Sequence, residues 1–266
     1  MVSHPAKYSI KRFRKYLGPF LMVLILFLIT SHQIHANFSH IFSGLGIGLE
    51  FIVKMFPPDF SISLELLKPS LDSLLMAFLG TIFGTILSIP FAIAAASNIS
   101  PPWLRNFTRF LISLERALPE IIILLILVAA VGLGVIPGVI SLSLGAIGMM
   151  GKFLADAIEE IDATSLDSLR SVGATRAQII YFGVIPEIVP KIISYSLFRF
   201  EYNIRLSVII GAVGAGGIGY YLTYYFGLNE YGKALTALLF TILLVLITER
   251  FASFLRNRIK LEDLLQ

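Results

Sequence analysis

Residues 164–182, Thr-Ser-Leu-Asp-Ser-Leu-Arg-Ser-Val-Gly-Ala-Thr-Arg-Ala-Gln-Ile-Ile-Tyr-Phe, form a polar interval between two apolar runs, Pro137–Ala155 and Ile192–Ala215. The interval is more than a linker. Thr164-Ser-Leu-Asp167 has capping-box spacing: the Thr hydroxyl accepts the amide of Asp167, whose carboxylate reaches back. A turn or two of helix then leads to Gly173, a residue suited to a left-handed C-terminal position. Thr175-Arg-Ala-Gln178 is a second capping box, and its helix is expected to run to about Phe182, with Gly183 and Pro186 as stops. Helices shorter than about 12 residues are marginal in water, so this pair must be docked. Leu166, Leu169, Ile179, Ile180 and Phe182 supply the docking surface, either onto the chain's own apolar helices or onto another protein.

The flanking runs set the class. The chain has 266 residues and a mass of 29.4 kDa; 56% of it is hydrophobic, 14% is charged, and the mean hydropathy is +0.85. A soluble globule of this size cannot hide so many apolar side chains, which excludes a disordered chain and argues against an ordinary soluble enzyme. The six apolar runs are Leu17–Ile34, Leu71–Ala96, Ala117–Leu133, Pro137–Ala155, Ile192–Ala215 and Leu235–Thr248. Each, with flanking residues where it is short, approaches the length that crosses about 30 Å of hydrocarbon. The expected fold is an all-α integral membrane protein with six transmembrane helices.

Charge distribution orients it. Of 21 Lys and Arg, 17 fall in segments that share a side with the N-terminus. Three (Lys54, Lys68 and Lys233) fall opposite, and Arg205 lies within a run. Positive residues stay inside, so both termini are expected in the cytoplasm of a multi-pass cell-membrane protein. The net charge of +4 then reports membrane orientation rather than nucleic-acid binding. Leu17–Ile34, preceded by Lys7, Lys11, Arg12, Arg14 and Lys15, has the basic start of a signal peptide, but no small-x-small cleavage site follows, so it reads as an uncleaved helix.

The expected order is an N-terminal tail over 1–16, a first span over 17–34 and an outer interfacial segment over 35–69. The transmembrane core follows over 70–251, with its cytoplasmic loop at 157–190, and a tail over 252–266 ends the chain. Within the outer segment, Ile41–Phe56 reads as a helix lying in the interface, ended by Pro57-Pro58. Cysteine is absent, which removes disulfides and thiolate chemistry. His32, His35 and His40 cluster loosely with no carboxylate at ligand spacing, so no metal site is expected.

The polar interval also carries a resemblance. Asp167-Ser-Leu-Arg-Ser-Val-Gly173-Ala174, followed by Val184-Ile-Pro186 and Pro190, resembles the EAA loop of ABC importer permeases, with Asp-Ser-Leu where that family has Glu-Ala-Ala and the glycine spacing intact. Met55-Phe-Pro-Pro-Asp59, Arg116-Ala-Leu-Pro-Glu120, Ala129-Ala-Val-Gly-Leu-Gly134, Gly148-Met-Met-Gly-Lys152 and Gly214-Ala-Gly-Gly-Ile-Gly219 narrow it to the phosphonate branch, which also holds phosphite transporters. The resemblance spans nearly the whole chain from about residue 40. It implies the type I permease fold of methionine importers, a homodimer around one path, two cytosolic ATPase subunits and a periplasmic or lipid-anchored binding protein. It further implies alternating access, with Asp167, Arg170, Gly173, Ala174 and Pro186 in the coupling loop. The cargo implied is a phosphonate or a related phosphorus oxyanion such as phosphite.

The remaining motifs are weighed on their own chemistry. Gly214-Ala-Gly216-Gly217-Ile-Gly219 matches GxGxxG but follows no strand, so its glycines read as a helix end and close backbone packing. The resemblance sets it beside the translocation path. No GxxxxGK[ST] occurs, so no nucleotide cofactor is expected on this chain and hydrolysis falls to another subunit. Gly80, Gly84 and Ser88 put small residues on one face of the second span, ahead of a kink at Pro90.

Glu201, Asn203 and Arg205 lie at the start of the fifth span; Glu201 and Arg205 are spaced to pair at i,i+4. Arg205 either borders the path and favours an anionic cargo or belongs to a neutral pair that locks helix packing. Arg116 and Glu120 form a similar pair around Pro119, a hinge near the gate. No His/Asp/Glu constellation suits a membrane enzyme, and few acids lie in the spans to serve a stand-alone secondary transporter.

Overall fold

A computed structural model of the chain describes the backbone of residues 6–33 and 38–263 and the side chains of residues 16–33 and 44–258. The described residues are helical throughout, apart from short connections. His35 and the side chain of His40, from the histidine cluster, lie outside them. Contacts divide the chain into two units, Met1–Lys54 and Met55–Gln266. The first holds α1 (Ala6–Gln33) and most of α2 (Phe38–Met55). Residues 16–33 of α1 are apolar, almost wholly exposed and long enough to cross a membrane.

The second unit begins with a 3₁₀ turn, Phe60–Ile62, capped by Asp59, whose carboxylate accepts the amide of Ser61. It continues as α3 (Ser63–Ala95), α4 (Pro102–Ala117), α5 (Glu120–Val131), α6 (Val135–Glu159), α7 (Ala163–Ser171) and α8 (Arg176–Ile179). A π-helical turn, Ile180–Val184, joins α8 to α9 (Ile185–Ile210). A second, Gly211–Ala215, leads to α10 (Gly217–Gly227), and α11 (Tyr231–Asp263) ends the unit. α11 stays helical through most of the stretch expected as a tail.

Among the described residues, five helical stretches are long and apolar enough to cross a membrane: Tyr16–Gln33, Phe60–Ala95, Val135–Glu159, Arg176–Ala215 and Tyr231–Arg258. The third apolar run of the sequence folds as α5, which has only 12 residues. At 1.5 Å per residue that is about 18 Å, short of a full hydrocarbon core.

The centre of the unit is the pairing of α3 with α6, and small residues make it possible. A Cβ on Gly80 would lie 2.6 Å from the Cβ of Leu142, and one on Gly84 would overlap Ala146. Ser88 Oγ donates to the Gly84 carbonyl of its own helix and to the Ala146 carbonyl across the interface. The small face expected on the second span is therefore used within one subunit. Three buried clusters stack around this pair. One end joins Ala92, Ala95, Met150, Leu154 and Ile158 to the polar interval. Met76, Leu124, Leu142, Ile210 and Ala215 fill the second. At the other end Ile62, Leu66, Ile218, Tyr225, Ala234 and Ala237 close the third.

The Gly214–Gly219 segment bends the chain between α9 and α10. Gly214, Gly216 and Gly217 have φ of +121°, +80° and +70°, values that a side chain resists. The amide of Gly134, in the turn after α5, donates to the Gly214 carbonyl. The amide of Ile218 donates to Ser73 Oγ on α3, so a side chain from another helix caps α10. This stretch is a helix break with close backbone packing, as its glycines predict.

Candidate functional site

The polar interval forms a compact, anchored projection. α7 starts two residues earlier than the sequence spacing suggests. Its cap is Asp162, whose carboxylate accepts the amide of Thr164, and Thr164 itself lies inside the helix. The expected box between Thr164 and Asp167 does not form, because Asp162 occupies the cap position first. Asp167 instead accepts from Arg170 at 2.7 Å. Arg170 also donates to the carbonyl of Asn98 at 2.8 Å, which ties α7 to the loop between α3 and α4.

The helix end is as the sequence predicts. Gly173 has φ +82°. Its amide donates to the Arg170 carbonyl and the amide of Ala174 to the Leu169 carbonyl, the two bonds of a Schellman motif. Thr175 and Gln178 then form the reciprocal capping box that starts α8.

Gly183 and Pro186 do not stop this helix. The chain passes through the π turn directly into α9, making one apolar run of 40 residues, Arg176–Ala215. Pro186 has no N–H to offer the Phe182 carbonyl, and the wider turn before it absorbs that gap. Gly183 serves packing: a Cβ there would stand 2.8 Å from Leu169 Cδ1 on α7. The second short helix is thus the first turn of a spanning helix, and α7 is clamped against it.

The candidate docking residues divide. Leu166, Leu169 and Ile179 turn inward and pack with Ile112, Leu154, Ile158 and Ile188. Phe182 points out, 63% exposed, and Tyr181 (68%) and Val172 (79%) are exposed too. The rings of Tyr181 and Phe182 meet edge to face at 4.9 Å. Packing on the chain's own helices accounts for the inner group and leaves an exposed apolar tip.

A second site lies where α4, α5, α6 and α9 meet. Arg199 is 1% exposed and is the one buried charged residue among the described residues. Its Nη2 donates to Glu120 Oε1 at 2.9 Å and to the Leu142 carbonyl at 3.1 Å. Tyr202 Oη donates to the other Glu120 oxygen at 3.3 Å, and the Arg199 guanidinium lies 5.0 Å from the Tyr202 ring centroid. Gly145 leaves room for the pair, since a Cβ there would overlap Glu120 Oε1. One turn on, Gly148 lies against Glu115, whose Oε2 is buried without a hydrogen-bond partner. Glu115 lies in α4, outside the spanning stretches; burial first, and then the charge of Glu120, push its carboxyl up to about 7. These residues, with Arg116, Pro119 and Met149, line a cavity of about 390 Å³.

This arrangement corrects two expected pairs. Glu120 pairs with Arg199 rather than Arg116, because α4 ends at Ala117 and the extended backbone of Leu118 and Pro119 removes the i,i+4 geometry. Glu201 and Arg205 do not pair with each other either. Arg256 and Glu249 of α11 take them, in the pairs Arg256–Glu201 and Arg205–Glu249, since both side chains face that helix rather than each other. Asn203 is buried and donates to Thr81 Oγ1 on α3 at 2.9 Å. Arg199 itself escaped the sequence reading, which counted it only among the cations that share a side with the N-terminus. The signal that could have found it is the Gly145–Gly148 spacing on α6, which clears one face for bulky polar groups.

A bundle of apolar spanning helices with a helical projection locked to one of them defines a polytopic membrane permease. The family described as binding-protein-dependent transport system inner membrane component matches residues 88–261, and the chain belongs to it. The phosphite transport system permease protein PtxC of Stutzerimonas stutzeri is 38% identical over 205 residues, 77% of this chain and 74% of that one. The phosphate-import permease protein PhnE of Mycolicibacterium smegmatis is 35% identical over 226 residues, 84% of this chain and 42% of that one. Among solved structures, the MetNI methionine ABC transporter in an inward facing conformation matches with a TM-score of 0.66 at 22% identity. That match covers 76% of this chain and 99% of the other, and it bears on the fold alone.

Proposed function

We propose that this chain is the membrane subunit of an ATP-driven importer that carries a phosphonate, phosphite or closely related phosphorus oxyanion into the cell. The observation that carries the reading is the exposed apolar pair Tyr181 and Phe182, held on a helix continuous with a span. A partner that pushes on such a tip moves the spanning helix as a rigid lever, whereas a loop would absorb the motion. The names of the curated relatives supply the cargo class.

In this reading two copies form a homodimer around one path. Two cytosolic ATPases seat the loops through Asp167, Arg170, Gly173, Ala174 and Pro186, and an external binding protein delivers cargo. α5, completed by its flanking turns, is the third of six spans. The excess of Lys and Arg on one side supports cytoplasmic termini. ATP-driven closure of the ATPases draws the loops together and opens the path outward; ADP release reverses it. The Gly214–Gly219 break borders the outer end of the path. Arg116, Pro119 and Glu120 stand at the inner gate, where Pro119 uncouples α4 from α5. Glu201 and Arg205 lock α9 to α11, and Asn203 locks it to α3.

The test exploits the absence of native cysteine. With Val172→Cys, Tyr181→Cys or Phe182→Cys in turn in the chain and single cysteines in the co-expressed ATPase, a crosslink between the two is expected. Uptake of phosphite into proteoliposomes is expected only with ATPase, binding protein and ATP present. Uptake by the chain alone, with no crosslink at residues 172, 181 or 182, overturns the proposal.

A further inference from the structure

The most unusual feature of the molecule is a guanidinium buried at the depth of a spanning helix with part of its donor set unspent. Arg199 uses Nη2 twice, but Nη1 reaches only the Met149 sulfur at 3.7 Å, and Nε has no partner. Buried donors are normally satisfied, and charged groups inside a membrane are rare unless they have work to do. The cavity beside it, about 390 Å³, has room for a tetrahedral anion with some of its water. Arg116 and Tyr202 also line it, and the Tyr202 hydroxyl holds the Glu120 carboxylate.

Glu120 sits on Arg199 as a carboxylate, and the planar fork that takes a carboxylate also takes the edge of a phosphorus oxyanion. Glu120 can be read as a built-in occupant of an anion site. The Glu120 carboxylate fills the space that Gly145 leaves free, its side chain keeps 15% exposure, and Arg116 lines the same cavity. Glu115, with its carboxyl held near neutrality, adds less than a full negative charge, so the cavity tolerates an incoming anion.

We infer that Arg199 forms a transient binding site for the anionic cargo, occupied in this conformation by Glu120, which Tyr202 steadies and which the phosphorus oxyanion displaces toward Arg116 during transport. The inference rests on the oxyanion-importer reading and adds to it a recognition site on the permease itself. Exchange of one anion for another keeps the buried guanidinium neutralised at every stage, and the competition by Glu120 keeps the site weak enough to release cargo.

The experiment measures equilibrium binding of labelled phosphite and inorganic phosphate to the detergent-purified permease–ATPase complex, without binding protein. Glu120→Gln weakens the competitor and is expected to bind at least fivefold more tightly than wild type. Glu120→Gln combined with Arg199→Gln keeps a neutral hydrogen-bonding pair and is expected to retain no anion. Equal retention by the single and double variants, including none by either, overturns the inference. Should either variant fail to assemble, Tyr202→Phe decides: it frees Glu120 without touching the buried charge. At least twofold tighter binding is expected from it, and an unchanged affinity overturns the site. The importer reading fails separately, if the complete wild-type transporter moves neither anion into proteoliposomes.

Discussion

Gly148 on α6 lies directly against the carboxylate of Glu115 on α4: a Cβ at residue 148 would overlap Glu115 Oε2 and stand 2.7 Å from its Cδ. The two helices approach closely only because position 148 has no side chain. Gly148→Ala is therefore expected to destabilise the subunit by about 1–3 kcal/mol, the usual range for overpacking. Glu115→Ala in the same chain should recover part of that loss, because it removes the carboxylate atoms that clash and leaves Arg116 Cγ, at 2.7 Å. Thermal unfolding of the two variants in detergent checks this; equal destabilisation of both would refute the contact.

The same carboxyl gives the fold a pH dependence of definite sign. The folded value of Glu115 is raised from 4.5 to about 7, so between those values the native chain keeps a proton that the unfolded chain has lost. Its contribution is complete below about pH 4.5 and is lost as pH rises through 7. Because the side chain is partly solvated, screening holds the effect to about 1 kcal/mol, well below full linkage. Melting temperature should fall between pH 5 and 7.5 in wild type. Glu115→Gln, which cannot titrate, should flatten that slope, and an unchanged slope would locate the titrating group elsewhere.

Much of this was legible before any coordinates. Several local signals read true: Gly173 takes the left-handed turn, Thr175 and Gln178 cap reciprocally, and Gly80, Gly84 and Ser88 share a packing face. Two did not, since Asp162 takes the cap expected of Thr164 and a π turn carries the helix past Gly183 and Pro186. Pairings across the bundle failed for a different reason. Spacing within one helix suggested Glu201 with Arg205, but their partners lie 55 and 44 residues away on α11. Glu120 met Arg199, 79 residues on, since the break at Pro119 turns it away from Arg116. Helical periodicity says which residues share a face and is silent on which face meets which. The exposed tip at Val172, Tyr181 and Phe182 was half visible, as the apolar residues of the loop could be counted but not divided into inner and outer groups.

Gly219 faces the carbonyl of Val208 where α10 folds back on α9, and a Cβ there would overlap that oxygen. A backbone atom cannot swing aside as a side chain can. Gly219→Ala should lie at the upper end of overpacking, about 3 kcal/mol, and reduce the yield of folded subunit. Gly227→Ala, with nothing within 4 Å of the added carbon, is the matched control and should leave the yield unchanged. Detergent-soluble monodisperse protein, quantified by size-exclusion chromatography, separates the two.

Arg170 allows coupling to be separated from stability. It bridges Asp167 on its own helix and the Asn98 carbonyl on the α3–α4 loop, and both contacts are exposed. Exposed pairs contribute about 0–1 kcal/mol, and one hydrogen bond to a carbonyl adds about 1 kcal/mol. Arg170→Ala should therefore lower the melting temperature by only a few degrees. α7 would nevertheless lose its tether to the α3–α4 loop, while the packing of Leu166 and Leu169 on Gly183 and in the buried cluster with Ile112 persists. Force applied to α7 would then reach α9 directly but α3 and α4 only through that packing. In the reconstituted transporter, phosphite uptake per ATP hydrolysed is expected to fall at least threefold while ATP hydrolysis continues. If uptake and hydrolysis fall together, Arg170 serves ATPase docking; if neither changes, the tether carries no force.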